Sequence, residues 1–313
     1  MSEIDILSFG ETMAMFVAEQ TGDLAQVGQF HKRIAGADSN VAIGLSRLGF
    51  NVAWLSRVGN DSLGRFVVDT LTKEGLDCHH VAVDPLNPTG FQLKSREEAG
   101  ADPQVEYFRR GSAASHLSID AIHPTLLQAR HLHATGIPPA LSDATRALSF
   151  ELMTQMRKAG RSVSFDPNLR PSLWASQAQM IREINALAAL ADWVLPGLGE
   201  GRLLTGFDDP EDIAAFYLDQ GAEAVAIKLG AEGAYYRTHM DQGFVAAVPV
   251  AKVVDTVGAG DGFAVGMISA LLENLSFPEA VQRGNWIGSR AVQSRGDMEG
   301  LPTRAELPTR SVA

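Results

Sequence analysis

The chain is poor in the features that commit a protein to a membrane or to the outside of a cell. It has one cysteine, Cys78, in 313 residues, so no intramolecular disulfide can form and a reducing, cytoplasmic setting is expected. The opening residues, MSEIDILSFGE, carry neither a basic stretch nor a long apolar one, so no leader peptide is expected. No run of about 18 apolar residues occurs, which argues against a membrane span. Cations are not in excess either. The formal net charge is −11, which leaves nothing to neutralise a polyphosphate backbone and makes nucleic acid an unexpected partner. An acidic surface still permits a local basic pocket for a small anion. Internal repeats and low-complexity segments are also missing.

What remains is a globular composition, 45% hydrophobic, long enough for one large α/β domain with a small appended element. "IDILSFG" (4–10) reads as a buried strand ending in glycine. "AGADSNVAIGLSRLGF" (35–50) spaces Val41, Leu45 and Leu48 as on a helix, which Asp38 or Ser39 can cap. "NVAWLSRVG" reads as the next strand, and "DSLGRFVVDTLTKEG" as a helix closed by Gly75. Later, "HLHATG", "SVSFDPN", "DWVLPG" and "AVAIKLG" keep a strand–helix rhythm, which predicts a mainly parallel sheet covered by helices.

Two pieces break the rhythm. Residues 11–35 contain the alternation "MAMFV". Residues 86–112 hold "TGFQLKSR" and "QVEYFRRG", which alternate like a hairpin around "EEAGADP". The expected organisation is therefore an α/β core from 1–10, 36–85 and 113–313, with 11–35 and 86–112 as a discontinuous β lid. In an open parallel sheet, ligands bind beyond the carboxyl ends of the strands. The polar residues there are Gly36–Asn40, Asn60–Asp61, Asp166–Arg170, Glu200, Lys228–Gly233 and Gly258–Asp261.

The most informative stretch is "VVDTVGAGDGFAVG" (253–266). The apolar run after Asp261 places Phe263, Met267, Leu271 and Leu275 on one helical stripe, so Gly258, Ala259 and Gly260 form the helix's first turn. Free N–H groups there sit at the positive end of the helix dipole, and the missing side chains let a phosphate come close. A carboxylate at that point repels the phosphate unless it has a task. The task that fits is general base, taking the proton from a hydroxyl that attacks phosphorus. The plainer alternative is a glycine turn with Asp261 as a cap. No Gly-Lys-Ser/Thr follows, so this is not a Walker loop, and it does not follow the first strand as a dinucleotide fingerprint would.

"DTVGAGDGFAVGMISALL" resembles the signature of the PfkB/ribokinase family of carbohydrate kinases. So do "AGADSNVAIGLSRLG" (with Ala35 where many members have Gly), "SRVGNDSLGRF" and "AIKLGAEGAYY", in order over nearly the whole chain. Within the family, "YFRRGSAASHLS", "FDPNLRPSLW" and "GDMEGLP" are similar to kinases of 2-keto sugar acids such as 2-keto-3-deoxygluconate. The resemblance implies a ribokinase-like three-layer α/β sandwich with a β-sheet lid, and ATP-dependent phosphorylation of a terminal hydroxyl with Mg²⁺. A monovalent cation and a homodimer formed through the lid are further possibilities it carries.

On the sugar side, Gly36, Ala37, Asp38 and Asn40 are placed to meet hydroxyls. The resemblance sets Tyr107 and Arg109 on the substrate, and Arg109, on the inferred lid hairpin, suits a carboxylate. Asn168 and Arg170 follow a strand, within reach of substrate or ATP phosphates. Asp297 matches the family's C-terminal acidic position. For ATP the resemblance indicates Lys228, Gly230, Gly233 and the 258–261 loop, with Asn285 beside the adenine. Each of these residues also has an ordinary reading as a turn, cap or surface residue.

Two departures stand out. Where the family often has Asn-x-x-Glu near metal and phosphates, this chain has Gly197-Leu198-Gly199-Glu200, so Glu200 is expected to reach Mg²⁺ only through water. Where kinases of 2-keto-3-deoxygluconate tend to carry a tyrosine, the candidates are Phe91 and Gln92. Gln92 would offer an amide to a more hydroxylated acid such as 2-ketogluconate. Two other functions stay open, a kinase of a neutral sugar (fructose or ribose) and a non-catalytic sugar-binding protein. His131 and His133, at strand spacing near His116 and His123, lack a Cys partner or an HExxH pattern and read as structural. Cys78, beside His79 and His80, has no context for a nucleophile.

Overall fold

The computed structural model describes residues 3–97, 103–294 and 296–308. Thirteen strands and nine α-helices are assigned among these residues. The first part of the chain runs β1 (Ile6–Phe9), β2 (Met13–Ala18), β3 (Phe30–Ala35), α1 (Ala37–Arg47), β4 (Val52–Gly59), α2 (Ser62–Lys73), β5 (Val81–Asp84), β6 (Phe91–Lys94) and β7 (Val105–Phe108). The middle runs β8 (His131–Thr135), α3 (Pro138–Leu141), α4 (Asp143–Lys158), β9 (Ser162–Asp166), α5 (Gln177–Ala188), β10 (Trp193–Val194), α6 (Leu198–Thr205) and α7 (Pro210–Asp219). The last part runs β11 (Ala224–Lys228), β12 (Gly233–Thr238), β13 (Gln242–Ala246), α8 (Ala259–Leu272) and α9 (Phe277–Ala291).

Nine strands form one sheet in the order β13-β12-β11-β10-β9-β8-β1-β4-β5. The seven from β11 to β5 are parallel, and β12 and β13 extend the sheet as an antiparallel hairpin. The strands alternate between two cores. Leu7, Phe9, Val163, Phe165, Val225 and Ile227 pack with α4, α5, α6 and α7. Ile6, Val52, Trp54 and Ala226 pack with α1, α2, α8 and α9 on the other side. Each fully buried side chain of this kind contributes roughly 1.5–3 kcal/mol. The result is the expected three-layer α/β sandwich. The chain winds one way from β1 to β4 and β5, and the other way from β8 to β11. The crevice between β1 and β8 is therefore the point of reversal where a ligand site is expected.

A second sheet of four strands has the order β3-β2-β6-β7. β6 pairs antiparallel with β7, Gln92 opposite Tyr107 and Lys94 opposite Val105. The expected hairpin is thus present, although most of its turn, residues 98–102, lies outside the described residues. β6 also joins β2 in parallel, which knits the two irregular pieces of sequence into one sheet.

Three local expectations need correction. "DWVLPG" yields a strand of only two residues, β10. Neither β5 nor the β12–β13 hairpin was foreseen; β5 and β13 are edge strands with exposed residues and weak patterning. Helix α1 is not capped by Asp38 or Ser39. It starts at Ala37 behind Gly36, and Ser39 Oγ donates back to the Gly36 carbonyl at 3.0 Å.

Candidate active site

A cavity of about 380 Å³ opens at the carboxyl ends of the central strands, between the large sheet and the small one. Its wall on the core side is the glycine turn ahead of α8. Gly258 has φ 83°, in the left-handed region, and a Cβ there would stand 2.3 Å from the Asp297 carbonyl oxygen. Only glycine fits this position. α8 begins at Ala259, so the first N–H groups of a fourteen-residue helix, which have no carbonyl to pair with inside the helix, lie at the cavity. Gly258 and Gly260 line the cavity, and Ala259 continues the same turn.

Asp261 stands in the first turn of α8, 8% exposed. Two amides from separate elements hold its carboxylate. Asn40 Nδ2 of α1 donates to Oδ2 at 2.8 Å, and Asn168 Nδ2, just past β9, to Oδ1 at 3.4 Å. Asn168 itself has φ 38°, a strained position for a residue with a side chain. Burial pushes the Asp261 pKa up to about 7, Asn40 pulls against this, and the nearby charges of Asp166 and Asp297 add to it. A carboxyl held there exchanges its proton near neutrality, as a general base must.

Opposite Asp261 is a cation. Lys228, the last residue of β11, places Nζ 3.5 Å from where a Cβ on Gly260 would be. The same Nζ is 2.6 Å from Asp166 Oδ2 at the end of β9. Burial works against the Lys228 charge, but Asp166 and Glu200 hold its pKa above the ordinary value. Glu200 supports this corner from behind. Its Oε1 accepts Leu169 N–H at 2.7 Å, and its Oε2 reaches back from the first turn of α6 to accept Gly197 N–H at 2.8 Å. Glu200 therefore fixes the 166–170 loop, and no group of three or more metal-ligating side chains is found among the described residues.

The residues expected on the sugar side come together as well. Gly36, Ala37, Asp38, Asn40, Gln92, Tyr107, Arg109, Asn168, Arg170 and Asp297 all line the cavity. Strand alternation decides between Phe91 and Gln92. Gln92 is buried and faces the cavity, whereas Phe91 stacks outward on Phe108 at 4.6 Å. Asp38 is buried, and burial, with Asp261 beside it, pushes its pKa up to about 7.

Arg109 differs from the expectation of a free fork over the substrate. It is 8% exposed, and its Nε and Nη2 both bind Glu11 Oε2, at 2.7 and 2.6 Å. Ser112 Oγ donates to the other oxygen of Glu11. A buried guanidinium needs such a partner, so the bidentate edge of Arg109 is already occupied. Arg170 Nη1 donates to the Leu169 carbonyl at 2.9 Å.

Some expected residues lie elsewhere. Asn285 Nδ2 donates to the carbonyls of Val245 and Ala246, at 2.9 and 3.1 Å, tying α9 to the end of β13, and Asn285 does not line this cavity. Gly230 and Gly233, with φ 62° and 124°, shape the β11–β12 turn and do not line the cavity. Asp61 of the Asn60–Asp61 pair caps α2 through Gly64 N–H at 2.7 Å and also accepts Thr89 N–H. His131 and His133 are fully buried in the sheet, joined through Ser164 Oγ.

Two contributors were missed, namely Glu11 and Lys94, whereas Asp166 was among the strand-end residues expected at the site. Glu11 follows the first strand, so the strand-end rule pointed at it too. Lys94 shares the Gln92 face by its two-residue spacing. Its ammonium lies 2.8 Å from Asp255 Oδ2 and 3.1 Å from Asp297 Oδ1.

Residues 3–304 match the model of the pfkB family carbohydrate kinases. The chain is 55% identical over 307 residues to the 2-dehydro-3-deoxygluconokinase of Bacillus subtilis strain 168, covering 97% of this chain and 94% of that one. A crystal structure of a PfkB protein from Polaromonas sp. JS666 superposes with a TM-score of 0.90 at 54% identity, over 97% of this chain and 98% of that one. An E. coli protein solved in complex with ATP and Mg²⁺, under the provisional name Ribokinase II, superposes with a TM-score of 0.89 at 28% identity, over 97% of each chain. The chain belongs to the pfkB family of carbohydrate kinases.

Proposed function

We propose that this carbohydrate kinase transfers the γ-phosphoryl group of ATP to the terminal hydroxyl of a 2-keto sugar acid, with 2-keto-3-deoxygluconate (2-dehydro-3-deoxygluconate) as the first candidate and 2-ketogluconate as the second. The observation that carries the reading is the placing of Asp261 in the first turn of α8, held by two amides, with the Lys228 ammonium against Gly260 of the glycine turn. The name of the Bacillus subtilis relative supports the choice of acid.

In this reading Asp261 takes the proton from the sugar's primary hydroxyl as its oxygen attacks the γ-phosphorus, and ADP leaves. The N–H groups of the 258–260 turn and the Lys228 ammonium receive the charge on the transferring oxygens. Mg²⁺ arrives on the nucleotide, where it neutralises phosphate charge, and Glu200, with an N–H on each oxygen, reaches it only through water. Gly36, Asp38 and Asn40 meet sugar hydroxyls. Arg109, through the N–H groups not spent on Glu11, and Arg170 attract the sugar's carboxylate, while Gln92 and Tyr107 close over it from the small sheet. That sheet acts as a lid, which limits loss of the phosphoryl group to water. Its outer face exposes Phe108 at 48% beside Phe91, an apolar patch that a second copy of the chain would cover; a molar mass of one chain by light scattering would contradict that dimer.

The test is ADP release by purified protein with Mg-ATP and 2-keto-3-deoxygluconate, 2-ketogluconate, fructose or ribose, read as ratios of kcat/KM. A keto acid preferred by about 100-fold or more is expected. If fructose or ribose is preferred, recognition of an acid is wrong.

A further inference from the structure

Lys94 has no part in the mechanism above, yet it is among the most buried charges at the cavity, with its side chain 4% exposed. It lies on β6 of the small sheet and points to the same side as Gln92. Both of its partners belong to the core. Asp255 precedes the glycine turn, and Asp297 is on the C-terminal loop.

Each partner touches the turn directly. Asp255 uses one oxygen on Lys94 and the other to accept Val257 N–H at 3.0 Å. The Asp297 backbone carbonyl occupies the space that a side chain on Gly258 would need. Two carboxylates this close repel, and burial makes the repulsion strong. The single ammonium between them is what allows both to approach the turn. Burial opposes its charge, but Asp297 and Asp255 hold the Lys94 pKa above the ordinary value, so it is charged at neutral pH.

We propose that Lys94 is a positioning residue for phosphoryl transfer, binding Asp255 and Asp297 from the small sheet and through them fixing the Thr256–Gly258 segment that leads into the 258–260 turn. This rests on the kinase reading. It adds a physical link by which the sheet that covers the sugar also sets the turn that meets ATP. Sugar held under Gln92 and phosphate held at Gly258 then depend on the same strand, β6.

The test uses the full-length protein and whichever sugar in the panel above has the highest kcat/KM with wild type. Acid recognition fails there if that sugar is neutral, and the Lys94 test proceeds with it unchanged. Lys94→Met is expected to lower kcat by about 30-fold or more while the sugar KM changes by less than about threefold, because Lys94 acts on the turn and not on the sugar. Lys94→Arg, which keeps the charge, should recover most of kcat. Asp255→Asn should cause a similar loss, and the Lys94→Met/Asp255→Asn double variant should lose no more than the worse single one, since both break one link. The proposal is overturned if Lys94→Met keeps kcat within about threefold, if its loss lies wholly in the sugar KM, or if the two single losses multiply. Should Lys94→Met not fold, Asp255→Asn decides by the same criteria, with Lys94→Arg still expected to keep most of kcat.

Discussion

Strands β8 and β9 carry two buried polar clusters of opposite character. In mid-strand, His131 and His133 join Ser162 and Ser164 in a chain of hydrogen bonds of 2.8 Å. At the carboxyl end, Asp166 meets Lys228, with Asn168 and Asp261 beyond. Burial affects both. It drives His133 down to about 3 and His131 well below its ordinary value, so both rings are neutral and inert near pH 7. It drives Asp261 up to about 7, into the range where a proton can be exchanged. Burial alone therefore does not make a site. It removes the charge of a base sealed in the sheet, and it tunes an acid that borders a cavity.

The largest break in this contrast is expected from Asp261→Asn. Turnover should fall by roughly 10²–10⁴-fold, the range of a lost general base, while titration calorimetry still detects sugar binding. Folding should not suffer. The folded-state pKa of Asp261 rises from 3.8 to about 7, so its ionisation costs stability that accumulates as pH rises from about 4 to about 7. The neutral amide escapes that cost, and the unfolding midpoint at about pH 8 should hold or rise.

Lys228→Met comes next, with about 100-fold lost from kcat/KM for ATP, the scale of one preorganised charge at the transferred group. Measured with the sugar saturating, a loss confined to the sugar KM would contradict its place on the phosphate side. A smaller effect sharpens the assignment of the base. The kcat/KM for the sugar should climb about tenfold per pH unit below about 7 and level off above it, as Asp261 loses its proton. Asp38 has a pKa in the same range, so Asp38→Asn is the control, and a limb that survives in it belongs to Asp261. The smallest effect on catalysis is expected at the other cluster. His131→Leu removes one hydrogen-bond partner from each of Ser162 and Ser164 and should cost about 1–3 kcal/mol in denaturant unfolding, with turnover per folded molecule within about twofold of wild type.

The sequence made the core side of the cavity readable because local rules act there. A glycine turn before an apolar helix, and polar residues just past strands, locate Gly258, Asp261, Asn40 and Asn168 without knowledge of tertiary contacts. Pairings between distant segments were less legible. Nothing near Arg109 in sequence announces that Glu11, 98 residues away, already holds it. Nor does Lys94 announce partners 161 and 203 residues on. Asn285 is a related case, since nothing near it in sequence announces that its amide serves the backbone of Val245, 40 residues away.

The most direct measurement is a proton-coupled phosphorus NMR spectrum of the protein incubated with Mg-ATP and 2-keto-3-deoxygluconate. The account predicts a new phosphomonoester triplet, split by the two protons of a terminal CH₂–O–P group, growing as ATP gives way to ADP. A doublet from a secondary phosphate, inorganic phosphate alone or unchanged ATP would contradict it.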